Sequence, residues 1–419
     1  MITTLPDDGQ PLPMHLNDDG QPLPTKPRVA LVWIPPMTGS RIWATVNGTK
    51  GEMYPTELLS ALLGESGQET SVYQMLSRYL PGFLVDLITP KLNEWYGTSV
   101  TAFNHKATLH YDAGTTKPPN GVHISVDQTN GGQMCSVDND VHIAMPEKPK
   151  HMEWGKTWYR VCYDWRRAGD PEFEKTYFAR LQETVEWAAG NTTSGKVVLG
   201  SLSQGGPVGT AFLNSMTAEW KKQYIDTWLM VASAIGGSFE SFETFFCGEV
   251  TLKIPVEGAF SMPELAPFFQ APCMLYIGPN AAIFEGMDVL RVKGGANYTA
   301  IEASLEAAKI DNWANAWKEM IKPAIDRTMG DPGVRTIHVF GTDIMTALTT
   351  TIEGDFGNCT VASRAYGTGD GAIPDQALRY AGKNWGNVNE IECAGEEHTS
   401  LATTKSCPAY TDILDQLLS

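Results

Sequence analysis

The sequence predicts an α/β protein with a mostly parallel central sheet flanked by helices, and three stretches carry that prediction. Arg28–Ile34 (RVALVWI) is an apolar run of strand length, and Lys196–Leu202 (KVVLGSL) reads as a buried strand. The first breaks at Pro35-Pro36-Met37-Thr38-Gly39-Ser40 into a loop, and the second runs into Ser203-Gln204-Gly205-Gly206, a strand-to-helix turn. A third run, Arg335-Thr336-Ile337-His338-Val339-Phe340, alternates like a strand.

The turn after the second run carries the chemistry. A nucleophile elbow, G-x-S-x-G, mounts a serine on a strained strand-to-helix turn, and the residues two before and two after it must be small so that the turn can pass close to the helix. Here those positions hold Ser201 and Gly205, which makes Ser203 the candidate nucleophile. Ser201 replaces the common glycine with one small side chain and leaves the steric logic intact. Serine-rich turns of this shape also occur without chemistry, so the assignment rests on partners further along the chain.

A nucleophilic serine needs a histidine base and a carboxylate to orient it, and in an α/β-hydrolase the order is serine, acid, histidine. Two histidines lie after Ser203. His338 lies inside the alternating run, where a packed or exposed sheet residue is the ordinary reading. His398 lies in the polar loop Gly395–Leu401, after Val388–Cys393 and before a C-terminal helix, where a base would sit. The candidate acid is Asp370 in Gly367-Thr368-Gly369-Asp370-Gly371-Ala372-Ile373-Pro374, whose glycines let the backbone turn sharply and aim a side chain into a site. Asp343, just after the strand that ends near Phe340, is the runner-up.

The ordered series Tyr163-Asp164-Trp165-Arg166, the Ser203 elbow, Met230–Ser238 (MVASAIGGS), Gly369–Pro374 and His398 resembles the lecithin:cholesterol acyltransferase family, with its lysosomal-type phospholipase A2 and phospholipid:diacylglycerol acyltransferase relatives. The resemblance spans roughly residues 28 to 415. It implies an α/β-hydrolase fold with an inserted cap or lid, and a serine-dependent reaction on lipid acyl esters. It also places the loop after the first strand opposite the elbow, where two main-chain N–H groups would hold the oxyanion of a tetrahedral intermediate. Gln204, the residue after the nucleophile, supplies one. Met37 supplies the other by carry-over from the family loop. Pro36 stands where the family commonly has glycine and has no N–H of its own, which leaves Thr38 as the alternative to Met37.

The domain plan expected is a leader over 1–27, a first core part over 28–238, a cap or lid over 239–330, and a second core part over 331–419. Within the leader, residues 5–13 (LPDDGQPLP) recur at 16–24 as LNDDGQPLP, a Pro/Asp/Gly repeat expected to form an extended arm. A formal charge of −17 argues against phosphate-backbone binding, so no nucleic-acid partner is expected. It also disfavours anionic membrane surfaces. A peripheral lipid interface would therefore be apolar, and the insertion at about 47–100, with the leucine-rich stretches of Met53–Tyr96, is the candidate, against the plainer reading that those leucines pack a cap core. No apolar run reaches the ~18 residues that span a bilayer. The start of the chain lacks a signal-peptide pattern, so the compartment expected by default is the cytoplasm, with extracellular or lumenal settings open.

Phe239, Phe242, Phe245, Phe246, Phe260, Phe268 and Phe269 cluster after Ser238, either to line an acyl groove or as plain core. Residues 297–329 read as helical, with Ile301, Leu305, Ala308, Trp313 and Trp317 at helix spacing. Tyr163–Arg166 reads chiefly as a buried structural cross-link, with ligand contact by Trp165 as the minor reading. The seven cysteines form no C-x-x-C pair or His/Cys cluster, so no metal and no cofactor is expected. Free buried cysteines are expected in a reducing compartment. The family resemblance, where loops around the acid and the histidine are bridged, offers Cys359–Cys393 as a pair for an oxidising one. Asn47, Asn191, Asn297 and Asn358 begin sequons at a frequency chance would supply.

The function these observations imply is a serine-dependent lipid O-acyltransferase or phospholipase acting on glycerophospholipid or other lipid esters. Ser203 would form an acyl-enzyme, His398 would act as base, and Asp370 would orient the imidazole. A phospholipase or lipase restricted to hydrolysis is one alternative. A catalytically inactive lipid-binding relative is the other.

Overall fold

The computed structural model describes residues 26–37, 39–40, 42–46, 49–52, 109–126, 155, 157–247, 269–310, 312–356, 358–398, 400–402 and 407–418. The repeat at 5–24, the Met53–Tyr96 stretch, Thr38, Asn47, Phe260 and Phe268 lie outside the described residues.

Six strands form the central sheet: β1 (Ala30–Ile34), β2 (Trp158–Arg160), β3 (Val197–Leu202), β4 (Ile225–Val231), β5 (Thr336–Thr342) and β6 (Val388–Ala394). Their order is β6-β5-β4-β3-β1-β2, and every neighbouring pair is parallel. This is the α/β-hydrolase architecture. The chain leaves β1 toward β2 and returns on the other side as β3, so the strand order reverses between β1 and β3. In open parallel sheets the crevice at the carboxyl ends of such a pair is where sites are built.

The apolar runs explain the sheet. Both faces of β1 and β3 are covered, and side chains alternate between the faces. Ala30, Val32, Ile34, Val197 and Leu199 pack with Tyr177, Leu181 and Val185 of helix α1 (Pro171–Gly190) and with Val208, Ala211 and Phe212 of helix α2 (Gly205–Ser215). Leu31, Trp33, Val198, Leu229, Val231, Ile337 and Val339 join Tyr410, Leu414 and Leu417 of helix α3 (Pro408–Leu418) in a separate core. Burying each large aliphatic side chain contributes about 1.5–3 kcal/mol.

Helix α1 starts at Pro171 because Asp170 caps it, accepting from the N–H groups of Glu172 at 3.0 Å and Phe173 at 3.3 Å. The same carboxylate takes Arg167 Nη2 at 2.8 Å and Thr116 Oγ1 at 2.6 Å, which pins the short ribbon His110–Asp112/Thr115–Lys117 to the helix start. Burial alone would raise this carboxyl, yet Arg167 and the hydrogen bonds hold it below the ordinary carboxylate value.

A second sheet of four strands, in the order Asn297–Tyr298, Leu290–Val292, Ile344–Asp355, Asn358–Gly369, carries a long hairpin. Inside its face Glu243 is fully buried, with Arg364 Nε at 2.8 Å and a bond from Thr350 Oγ1. Residues 297–329 depart from an all-helical reading. The segment opens with the strand Asn297–Tyr298 and continues as helices Ile301–Ala308, Trp313–Ala316 and Lys322–Thr328, with a π turn at Trp317–Ile321. Ile301, Leu305, Trp313 and Trp317 are buried as their spacing implies.

The disulfides also depart from the pairing the family resemblance offered. Cys359 joins Cys247 and Cys393 joins Cys407, so no Cys359–Cys393 bridge forms; Cys273 is free and buried. The reason is topological. Cys359 begins the outer strand of the hairpin, next to the helix Glu240–Cys247, whereas Cys393 ends β6 beside the start of α3. The second bridge closes a sequence separation of 14 around His398. Replacing Cys393 and Cys407 by serine should lower unfolding stability by about 3 kcal/mol, read from urea denaturation under non-reducing conditions.

Candidate active site

Ser203 lies between β3 and α2, at the carboxyl end of the sheet, with φ of 54° in the left-handed region. A serine there is strained, and three main-chain bonds hold it. Its N–H donates to Val231 O at 2.9 Å, and its carbonyl accepts from Gly206 N at 2.9 Å and Ala234 N at 3.1 Å. The glycines after it have steric reasons. A Cβ on Gly205 would stand 2.5 Å from Ile34 O and 3.2 Å from Ser201 Cβ, and a Cβ on Gly206 would stand 1.9 Å from Ser233 Oγ. Small residues at 201 and 205 are what let helix α2 start against β1 and β3.

The imidazole of His398 reaches Ser203 from the loop after β6. His398 Nε2 is 2.9 Å from Ser203 Oγ, and Nδ1 is 2.7 Å from Asp370 Oδ2. The main-chain N–H of His398 also donates to Asp370 O at 2.7 Å, so the two loops are fastened by backbone as well as side chain. Asp370 comes directly after the last residue of the hairpin and is completely buried, while 15% of the His398 side chain is exposed. Its other carboxylate oxygen, Oδ1, accepts from Ala372 N at 3.0 Å and Ile373 N at 2.7 Å. Gly371 makes that turn, with φ of 93° and an N–H donated to Thr346 Oγ1 at 2.8 Å. A carboxylate on Nδ1 fixes the proton there and leaves Nε2 free to accept the serine proton.

The other candidates are placed elsewhere. Asp343 sits at the exposed turn between β5 and the hairpin, with φ of 65°, and its carboxylate accepts from Thr342 Oγ1. His338 is buried in β5, where its Nε2 accepts from Ser233 N at 3.3 Å and its ring packs on Phe340. Burial pushes His338 down to about 3 from 6.5, although Asp370 pulls it upward. It is therefore neutral in the folded protein and charges on unfolding. The folded pKa being depressed, its contribution is intact above pH 6.5 and is lost as pH falls toward 3. His338→Gln should flatten the acid side of the stability curve between pH 6.5 and 4, measured by urea midpoints.

Gln204 is fully buried and Met37 half-buried on the loop after β1. Among the described residues no acceptor takes the main-chain N–H of either. The loop lies against the elbow, since the absent Gly205 Cβ would meet Pro35 O at 3.0 Å. Thr38, the alternative donor, lies outside the described residues. Two features escaped the sequence reading. The hairpin that delivers Asp370 is rich in threonine (Thr346, Thr349, Thr350, Thr351), a β-propensity signal. Tyr163 is the other, a buried phenol between the loop and the elbow. Asp164 and Arg166 form a buried ion pair within the motif, through Oδ1–Nε at 2.9 Å and Oδ2–Nη2 at 2.8 Å, and Trp165 is fully buried.

Among the described residues no group of three or more His, Cys, Asp or Glu side chains is placed to hold a metal, and no helix is long and apolar enough to cross a membrane.

Residues 151–325 match the family model described as lecithin:cholesterol acyltransferase. That stretch is similar to the family. The matched lecithin:cholesterol acyltransferase region contains Tyr163–Arg166, the Ser203 elbow and Met230–Ser238, whereas Asp370 and His398 lie beyond it. Lecithin-cholesterol acyltransferase-like 1 of Arabidopsis thaliana is 27% identical over 265 residues, which are 62% of this chain. The match spans 59% of the length of that curated relative. Among solved structures, the Tle4–Tli4 complex has a chain 12% identical with a TM-score of 0.48, covering 94% of this chain and 100% of that one. The peroxisomal α/β-hydrolase Lpx1 of Saccharomyces cerevisiae is 11% identical with a TM-score of 0.31, covering 94% of this chain and 77% of that one.

Proposed function

We propose that the protein is a serine-dependent lipid O-acyltransferase or phospholipase that works through an acyl-enzyme. The observation that carries this reading is the unbroken line from Asp370 Oδ2 to His398 Nδ1 and from His398 Nε2 to Ser203 Oγ, at 2.7 and 2.9 Å, with the serine on a strained elbow.

In this reading Ser203 Oγ attacks an acyl-ester carbonyl as its proton passes to His398 Nε2. Asp370, buried and tied to two N–H groups, stabilises the imidazolium without taking its proton. The negative oxygen forms where the unpaired N–H groups of Met37 and Gln204 are available, and each such donor is worth about a hundredfold or more in rate. His398 then returns the proton to the departing alcohol. In the second half, a hydroxyl acceptor or water gives its proton to His398 and attacks the Ser203 acyl ester; the acyl–Oγ bond then breaks as His398 returns that proton to Ser203 Oγ. That lipid acyl esters are the substrates is supported by the family match over residues 151–325 and by the likeness to lecithin-cholesterol acyltransferase-like 1.

The test is to incubate purified protein with a phospholipid bearing a labelled acyl chain, with and without a sterol or diacylglycerol acceptor, and to separate the products. Label in a new ester identifies transfer, and label only in free fatty acid identifies a phospholipase. No Ser203-dependent release from any lipid ester would remove the proposal.

A further inference from the structure

We infer that Tyr163 is a positioning residue for oxyanion stabilisation, because its one hydroxyl fastens both elements that carry the two N–H donors; this inference rests on the acyl-transfer reading of Ser203. Tyr163 lies just past β2, fully buried. Its Oη is 3.1 Å from Pro35 O and 3.2 Å from Gln204 Oε1. Pro35 begins the loop that carries Met37, and Gln204 is the residue whose own N–H is the second donor.

The chemistry of the contact decides how it works. A phenol has one proton to give and can accept as well. Among the described residues, Gln204 Nε2 is buried without a partner. With the amide turned over, Nε2 donates to Oη while Oη donates to Pro35 O, so the one phenol bonds both elements at once. Burial holds the Tyr163 phenol far above its ordinary pKa, so the proton stays in place.

The tyrosine grips the loop a second time. Its main-chain N–H donates to the buried Ser40 Oγ at 3.2 Å. Pro35 and Ser40 are thus both tied to one residue, and a turn closed by Gly39 N on Pro36 O at 3.0 Å lies between them. Met37 sits inside that span. Tyr163 is itself immobilised, with ring centroids 4.9 Å from Tyr177 and 5.9 Å from Phe173, and Tyr177 Oη donates to Val161 O at 2.9 Å. A proline loop supplies few N–H groups of its own, so its register against the elbow has to come from outside. The phenol supplies it.

An oxyanion donor acts on the transition state far more than on bound substrate, so a displaced donor lowers kcat and spares KM. Tyr163→Phe should reduce kcat on a soluble p-nitrophenyl acyl ester by about 10- to 100-fold, with KM within about threefold of the parent. Phosphonylation of Ser203 by an alkyl fluorophosphonate, with fluoride leaving, should slow in step. Gln204→Met keeps the main-chain N–H and removes only the amide that Tyr163 meets, so it should also lower kcat at constant KM. In the double variant the two losses should be less than multiplicative. Parental kcat in Tyr163→Phe overturns the inference. Should that variant fail to fold, Gln204→Met decides, and parental kcat there overturns the inference too. Absence of Ser203-dependent turnover in the parent protein would overturn the acyl-transfer reading itself, whereas Ser203-dependent turnover untouched by both substitutions overturns the role of Tyr163 alone.

Discussion

Ser203→Ala should reduce kcat on any acyl ester by about 10⁴- to 10⁶-fold and abolish the covalent intermediate. The reason is geometric as well as chemical. Within the elbow Ser203 Oγ is the hydroxyl on His398 Nε2, at 2.9 Å. Alanine leaves the imidazole and the N–H donors in place, so only a slow, water-driven reaction survives. Ser201→Ala is the internal control. The Ser201 hydroxyl is buried and has no partner among the described residues, so its removal forfeits no hydrogen bond and should leave kcat within about twofold. Initial rates on a p-nitrophenyl ester, with circular dichroism to verify folding, separate the two variants. Comparable losses in both would contradict the assignment of the nucleophile.

The second large effect is expected at the acid. Asp370→Asn should lower kcat by about 10⁴-fold with the fold retained. Asparagine can still accept the N–H groups of Ala372 and Ile373 through its oxygen, which turns its NH2 toward His398. An NH2 beside Nδ1 makes Nδ1 the acceptor and moves the ring proton to Nε2. In that tautomer the imidazole cannot take the serine proton. Asp343→Asn should change kcat by less than about twofold, since Asp343 lies at an exposed turn and meets Thr342 rather than His398. Paired kcat measurements at one pH check both, and a larger loss at Asp343 would reverse the choice of acid.

The central sheet was legible because β1 and β3 are buried on both faces and are made mostly of apolar and small residues, as in Arg28–Ile34 and Lys196–Leu202. The three residues on the hydrogen-bonded line were legible for another reason. Each sits where local chemistry is unusual: small residues about Ser203, glycines about Asp370, and a polar loop about His398. What holds them was not legible. The Cys393–Cys407 and Cys247–Cys359 pairings depend on which loops meet in three dimensions, and spacing alone does not carry that information. The strand at Asn297–Tyr298 is two residues long and exists through its pairing to Leu290–Val292, so no local period announces it. Tyr163 belongs to a motif that was visible, yet its partners Pro35 and Gln204 stand 128 and 41 positions away. A tyrosine's role there comes from the parallel order β3-β1-β2, which brings three strand ends together.

Ser203 acylation is tested by mass spectrometry of the protein quenched within seconds of mixing with a slow acyl ester, combined with peptide mapping. One added acyl group is expected on the peptide that contains Ser203, absent in Ser203→Ala and accumulating in the parent before steady state. An acyl group on another residue, or turnover with no covalent species on Ser203, would contradict it.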